Sequence, residues 1–168
     1  MEKGIEYEVI EELDISLEFL WEKDMGYFLI DLDGDDKLEL LFGANYEYDG
    51  QTHSPIYNIF AIEDGKLVQK AYGEARFAYR LCKKDGDFVI EQVEQGGVTM
   101  TGFEYYSYKQ NLEHIETVLY DAQSNSENPW FYSNSEENRT PITSERAEQI
   151  KAGYEEVEIP FIRIKDKF

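Results

Sequence analysis

The chain reads as an α+β fold: an N-terminal amphipathic helix, an antiparallel meander of about seven to nine strands, a short C-terminal helix and a closing strand. Three observations carry that reading. Ile5, Val9, Leu13, Leu17 and Leu20 recur at helical spacing with glutamates on the other faces. Short apolar or alternating runs follow, separated by the turn pairs Asp64-Gly65, Asp85-Gly86, Gly96-Gly97 and Gln110-Asn111. Thr143 then stands as an N-cap before a second helical segment, with Glu145 in its first turn.

Taken in order, the spacing predicts a helix over 5–22 and a meander over 27–121. Its first two strands, 27–30 and 38–42, flank an acidic loop, and further strands are expected at 55–63, 66–72, 76–83, 87–94, 98–108 and 113–121. The alternation from Val98 to Tyr108 changes phase near Gly102, which predicts a bulge. Residues 122–142 are rich in Ser, Asn and Glu and read as a long loop pinned by Trp130, Phe131 and Tyr132. A helix over 144–154 and a strand over 157–164 complete the chain, with Pro160 suited to an edge or a bulge.

At 168 residues the chain is expected to form one domain, 1–168. Its 42% hydrophobic and 15% aromatic content is too high for a disordered acidic tail, although 36 Asp and Glu against 16 Lys and Arg give a formal charge of -20. Such a charge argues against nucleic acid and anionic lipid as partners and favours cations and basic surfaces. Met1-Glu2-Lys3 opens into further glutamates without an apolar targeting segment, and no apolar run nears membrane-spanning length, so no membrane insertion by this chain is expected.

Asp31-Leu-Asp33-Gly-Asp35-Asp36-Lys37-Leu38-Glu39 is the stretch richest in chemistry. Oxygen ligands at loop positions 1, 3 and 5 converge on one point when the backbone curls, and a carboxylate at position 9 closes the shell directly or through water. That is a calcium pattern. It is not an EF-hand, because position 12 is Phe42 and position 6 is Asp36. An acidic hairpin turn is the plainer alternative, but three Asp within five residues plus Glu39 exceed what turn geometry requires, and like charges repel unless a cation offsets them.

Cys82 is the only cysteine, so no internal disulfide forms, and its strand context reads as half-buried packing. His53 and His114 are far apart in sequence, and neither zinc nor catalytic-triad signatures occur. The 13 Tyr and 10 Phe chiefly suit a sheet core. Tyr105, Tyr106 and Tyr108 on one sheet face, or the loop carrying Trp130, Phe131 and Tyr132, are the candidate surfaces for stacking on sugars or gripping a protein partner.

The succession Tyr27-Phe-Leu-Ile-Asp-Leu-Asp-Gly-Asp, Glu39-Leu-Leu-Phe-Gly, Ile56-Tyr-Asn-Ile-Phe, Asp64-Gly-Lys, Ala75-Arg-Phe-Ala-Tyr-Arg-Leu, Asp85-Gly, Gly96-Gly97 and Asn128-Pro-Trp resembles the uncharacterised secreted proteins and lipoproteins of gut Clostridia, over roughly residues 20 to 168. The acidic loop is similar to the calcium loops of FG-GAP and integrin-type repeats. That resemblance implies ligation by the side chains of Asp31, Asp33, Asp35 and Glu39 and a carbonyl near Lys37, with Asp36 standing where those loops favour Gly. It also implies a bacterial extracellular or cell-surface location.

The expected function is therefore a non-catalytic, calcium-binding surface module with a protein or glycan partner. Two alternatives stay open: an acidic cytoplasmic inhibitor that imitates nucleic-acid charge, and a hydrolase using a carboxylate pair.

Overall fold

Alternating side chains and Asp-Gly turns draw most of the chain into antiparallel pairing. The computed structural model describes residues 25–73, 77–135 and 138–164. The expected helix over 5–22 lies outside them.

Strand β1 (Met25–Ile30) pairs with β2 (Glu39–Ala44) from Met25↔Ala44 to Ile30↔Glu39, so the acidic segment is the connection between them. A small separate hairpin, β3 (Tyr46–Tyr48) with β4 (Gln51–His53), follows; the alternation there is too short to stand out in the sequence. Next come β5 (Ile56–Glu63), β6 (Lys66–Tyr72), β7 (Phe77–Lys84), β8 (Asp87–Gln95), β9 (Met100–Lys109) and β10 (Asn111–Asp121). The turn residues Asp49, Asp64 and Asp85 each take positive φ (52°, 49° and 54°) before a Gly that does the same, the geometry that tight hairpins demand.

The segment expected as an aromatic loop is partly strand. β11 (Trp130–Ser133) pairs with β10 from Tyr120↔Trp130 to Thr117↔Ser133, and β12 (Thr140–Pro141) pairs with β11 in turn. Trp-Phe-Tyr has high strand propensity, and the exposed edge of β10 offers it hydrogen bonds. Helix α1 (Ser144–Lys151) starts where expected, with Thr143 Oγ1 accepting the N–H of Arg146 at 3.2 Å. It ends earlier than 154. Tyr154 turns back to stack on Tyr105, ring centroids 3.6 Å apart, and β13 (Glu155–Glu156) joins the edge of β7.

The closing strand over 157–164 is also corrected: pairing resumes only at β14 (Ile162–Arg163), against Gly26 and Tyr27 of β1. Pro160 has no N–H to donate. Around it the chain tucks inward instead, with Ile159 buried, its N–H donated to Ser54 Oγ at 3.0 Å and its carbonyl accepting from Asn45 Nδ2 at 2.9 Å. The irregularity expected near Gly102 falls elsewhere. β8 and β9 stay in register through Gly102, while the shift lies in β10 between His114 and Glu116.

The main sheet runs β12-β11-β10-β9-β8-β7-β5-β2-β1-β14, with β6 beside β5 and β13 beside β7. Its central strands are covered on both faces. Leu81 and Cys82 are sequence neighbours that point to opposite sides, yet each is only 1% exposed. Leu81 joins Leu32, Leu41, Ile56, Ile59 and Ile90 in one core; Cys82 joins Val89, Tyr105 and Val118 beneath Ala147 and Ile150 of α1 in another. Full burial of a side chain such as Ile90 contributes roughly 1.5–3 kcal/mol. The architecture is thus mostly antiparallel β with one short helix among the described residues.

Candidate metal centre

Leu32 sets the shape of the acidic loop. Its side chain enters the first core at 5% exposure, while Asp31 and Asp33 on either side turn outward. Gly34 and Asp36 take positive φ (76° and 64°), and the backbone between them curls. Backbone amides then orient the carboxylates. Asp31 Oδ1 accepts from the N–H groups of Gly34 (2.7 Å) and Asp35 (3.2 Å), and its Oδ2 accepts from Asp36 (3.0 Å). Asp33 Oδ1 accepts from the Asp35 N–H at 3.3 Å, and Asp35 Oδ1 from that of Lys37 at 2.9 Å.

The outcome is that Asp31, Asp33 and Asp35 each present an oxygen, all within 4.8 Å of one another. Two oxygens sharing a calcium at about 2.3–2.6 Å stand at most roughly 5 Å apart, so the spacing fits such an ion. Each carboxylate oxygen has lone pairs beyond those given to the amides. The donor set, carboxylates alone, suits a hard cation.

Of the five residues singled out in the loop, the structure brings three together. Glu39 stands apart from that group: it is buried at 5% exposure, and its Oε2 accepts the N–H of Leu32 at 3.0 Å, stapling the base of the loop. Burial raises its pKa, opposed by the Leu32 hydrogen bond and reinforced by the neighbouring aspartates. Lys37 contributes a side chain turned to Asp35, Nζ to Oδ2 at 2.7 Å, and this bond holds the Asp35 carboxyl below its usual range.

A cleft of about 410 Å³ opens beside the loop, walled by Asp33, Asp35, Glu39, Glu63, Asp64 and Tyr108 among others. Glu63, Asp64 and Tyr108 were not legible as residues of this site. Asp64 reads only as a turn, and Tyr108 as a core aromatic or, with Tyr105 and Tyr106, as a stacking face; Tyr105 and Tyr108 are in fact buried, at 0% and 3% exposure, and no local pattern shows that β9 carries Tyr108 to the β1–β2 loop. Asp33 Oδ2 accepts the backbone N–H of Gln110 at 3.1 Å, which fastens the loop to the β9–β10 turn.

Trp130, Phe131 and Tyr132 lie away from this centre, half-buried on β11. The Trp130 ring meets Tyr120 edge-on at 5.2 Å, and Lys151 Nζ lies 5.1 Å from its centroid. The two histidines occupy separate neighbourhoods: His53 stacks on Tyr46, and His114 shares a 2.8 Å hydrogen bond with Thr117. Cys82 is fully rather than half buried, and burial, with Glu91 and Glu156 nearby, pushes its thiol up to about 12.

No family model, curated protein or solved structure matches the chain. No helix among the described residues is long and apolar enough to cross a membrane.

Proposed function

We propose that this protein is a non-catalytic, calcium-stabilised binding module. The observation that supports the reading is the convergence of Asp31, Asp33 and Asp35 oxygens within 4.8 Å on a loop whose own amides orient them. Three carboxylates so close repel one another, and a divalent cation held among them offsets that repulsion in the folded state alone. The cation's contribution is structural: it neutralises the loop and locks the β1–β2 connection. Trp130, Phe131 and Tyr132, each partly exposed on one short strand, are the surface offered to a protein or glycan partner. A bacterial extracellular or surface setting accords with the resemblance of the landmark order to secreted clostridial proteins.

Thermal melting in calcium and in chelator tests the metal assignment. At a hundredfold excess over its Kd, calcium adds about 2.7 kcal/mol of stability, and Asp31→Ala combined with Asp33→Ala removes that increment while the chelator-treated variant, lower in melting temperature for want of the backbone hydrogen bonds those side chains accept, keeps its fold. An equal calcium response in the double variant, or none in the wild type, overturns the assignment.

A further inference from the structure

The irregularity in β10 shapes a second cleft, on the sheet face opposite α1. Tyr106 pairs with His114 and Tyr105 with Glu116, so Ile115 is the extra residue. Residues three apart on a regular strand point to opposite faces; the insertion instead brings His114 onto the face of Thr117, and the two share a 2.8 Å hydrogen bond. Glu116 turns to the other face, where Lys84 and Tyr154 engage it. Bulges recur beside active sites because they re-aim a side chain in this way. Glu104, Thr117 and Ser133 stand in one row across β9, β10 and β11, and with Tyr106, His114 and Arg139 they line a cleft of about 210 Å³. Ser133 is 6% exposed, its hydroxyl bonded to the backbone of Ser135. The Tyr106 hydroxyl donates to Glu104 Oε2, which leaves Oε1 its lone pairs, and the Tyr106 and His114 rings meet edge-on at 5.6 Å. Glu104 and Arg139 carry opposite charge yet form no ion pair across this small space. The Arg139 guanidinium acts on Asp121 through space and makes no hydrogen bond or ion pair among the described residues.

The lining fixes the chemistry of an occupant. One carboxylate and one guanidinium balance in charge, in a chain that carries -20 overall. An anion is repelled by that surrounding field, and a cation meets Arg139 inside the cleft. A neutral molecule whose groups both donate and accept suits Glu104, Arg139 and the hydroxyls together, and sugar hydroxyls do both. The space is smaller than the roughly 300–1,000 Å³ of drug-sized ligand sites and takes a single small ring. Tyr106 and His114 add flat apolar surface against which the C–H face of such a ring packs. From the charge-balanced lining, and from Glu104 and Arg139 sharing the cleft without pairing, we infer that it binds one neutral pyranose unit of a glycan. The inference rests on the binding-module reading and narrows its partner to a carbohydrate. It also divides the aromatic residues. Tyr106 is half-buried and lines the cleft, whereas Tyr105 and Tyr108 are in the cores. Phe131 shares the face of Ser133, whereas Trp130 and Tyr132 pack against the core beneath α1.

Saturation-transfer spectroscopy of the full chain, followed by titration, provides the test. The probes are the methyl pyranosides of glucose, galactose, mannose and N-acetylglucosamine, with methyl glucuronide and methyl glucosaminide as charged controls. At least one neutral pyranoside is expected to bind saturably, one to one, and more tightly than either control. Arg139→Gln and Glu104→Gln each remove one charge from the wall and weaken that binding about tenfold, the worth of one hydrogen bond to a charged group. Arg146→Gln removes the same charge as Arg139→Gln from the exposed surface of α1 and leaves affinity unchanged. The inference falls if no neutral pyranoside binds, if a charged control binds as tightly, if Arg146→Gln costs as much as Arg139→Gln, or if either cleft variant binds like wild type. Melting of the same samples with calcium and with chelator separates the two readings. A calcium response without sugar binding removes this inference alone, and sugar binding without a calcium response removes the metal reading alone.

Discussion

The backbone N–H of Gln110 donates to Oδ2 of Asp33 at 3.1 Å, across 77 positions of sequence. The acidic loop is therefore tied to the far side of the sheet rather than left as a free hairpin tip. Gln110 reaches that position with φ at 61°, a left-handed conformation uncommon outside Gly, Asn and Asp. Asp33→Ala is expected to speed exchange of the Gln110 amide about fivefold or more, the equivalent of one hydrogen bond. Hydrogen exchange resolved at that residue checks it, and unchanged protection would show that the tie does not hold the turn.

Gly43 marks a point where three segments meet. A Cβ added there would collide with the Pro55 carbonyl and the Phe161 ring, and one of those is backbone that cannot swing aside. Gly43→Ala is expected to destabilise by about 1–3 kcal/mol, the usual cost of overpacking. Urea denaturation should show a lower midpoint with an unchanged slope. Gly34→Ala offers the contrast, since space is open there and only the positive φ of 76° resists it.

Cys82 is expected to be chemically silent in the native state. It is 1% exposed, and burial with its acidic neighbours pushes its thiol up to about 12, so little thiolate forms at neutral pH. A chromogenic disulfide reagent should label it only at the rate of unfolding. Stoichiometric labelling within seconds under native conditions would contradict the packing described.

Acid sensitivity should centre on Glu116. Burial by itself pushes its carboxyl up, but the Lys84 ammonium at 2.9 Å and the Tyr154 hydroxyl outweigh burial and hold it below the ordinary 4.5. A folded pKa beneath the unfolded one stabilises the native state above about pH 4.5, and that contribution is lost as pH falls through the folded value. Glu116→Gln is thus less stable than wild type at pH 7, and the gap narrows as pH falls below about 4.5 and through the folded value. Denaturation midpoints across that range measure it; a gap that stays constant with pH removes the carboxylate from the account.

The turns were the most legible part of this fold, because Asp64-Gly65 and Asp85-Gly86 announce positive φ locally and the hairpins follow from it. So was the Thr143 cap, which depends on three residues alone. What escaped were features decided at a distance. Trp130 to Ser133 becomes strand only because β10 has a bare edge, and Pro160 divides the closing segment because Ser54 and Asn45 wait to engage Ile159. At the acidic loop, the spacing of Asp31, Asp33 and Asp35 sufficed to bring their oxygens together, while Glu39 went to the Leu32 amide, a choice that depends on how deeply Leu32 is drawn into the core. Tyr108 and Asp64 enter the cleft through strand order, which periodicity does not encode.

The pairing of Ile162 and Arg163 with β1 has a consequence for biogenesis. During synthesis β1 emerges early, but the two residues that cover its outer flank leave the ribosome only after every other described strand. Until then no other described strand pairs with that flank, and an edge left bare can recruit a second copy. Folding that waits on so distant a contact is slow for purely topological reasons, and removing Ile162 and Arg163 would make the temporary hazard permanent.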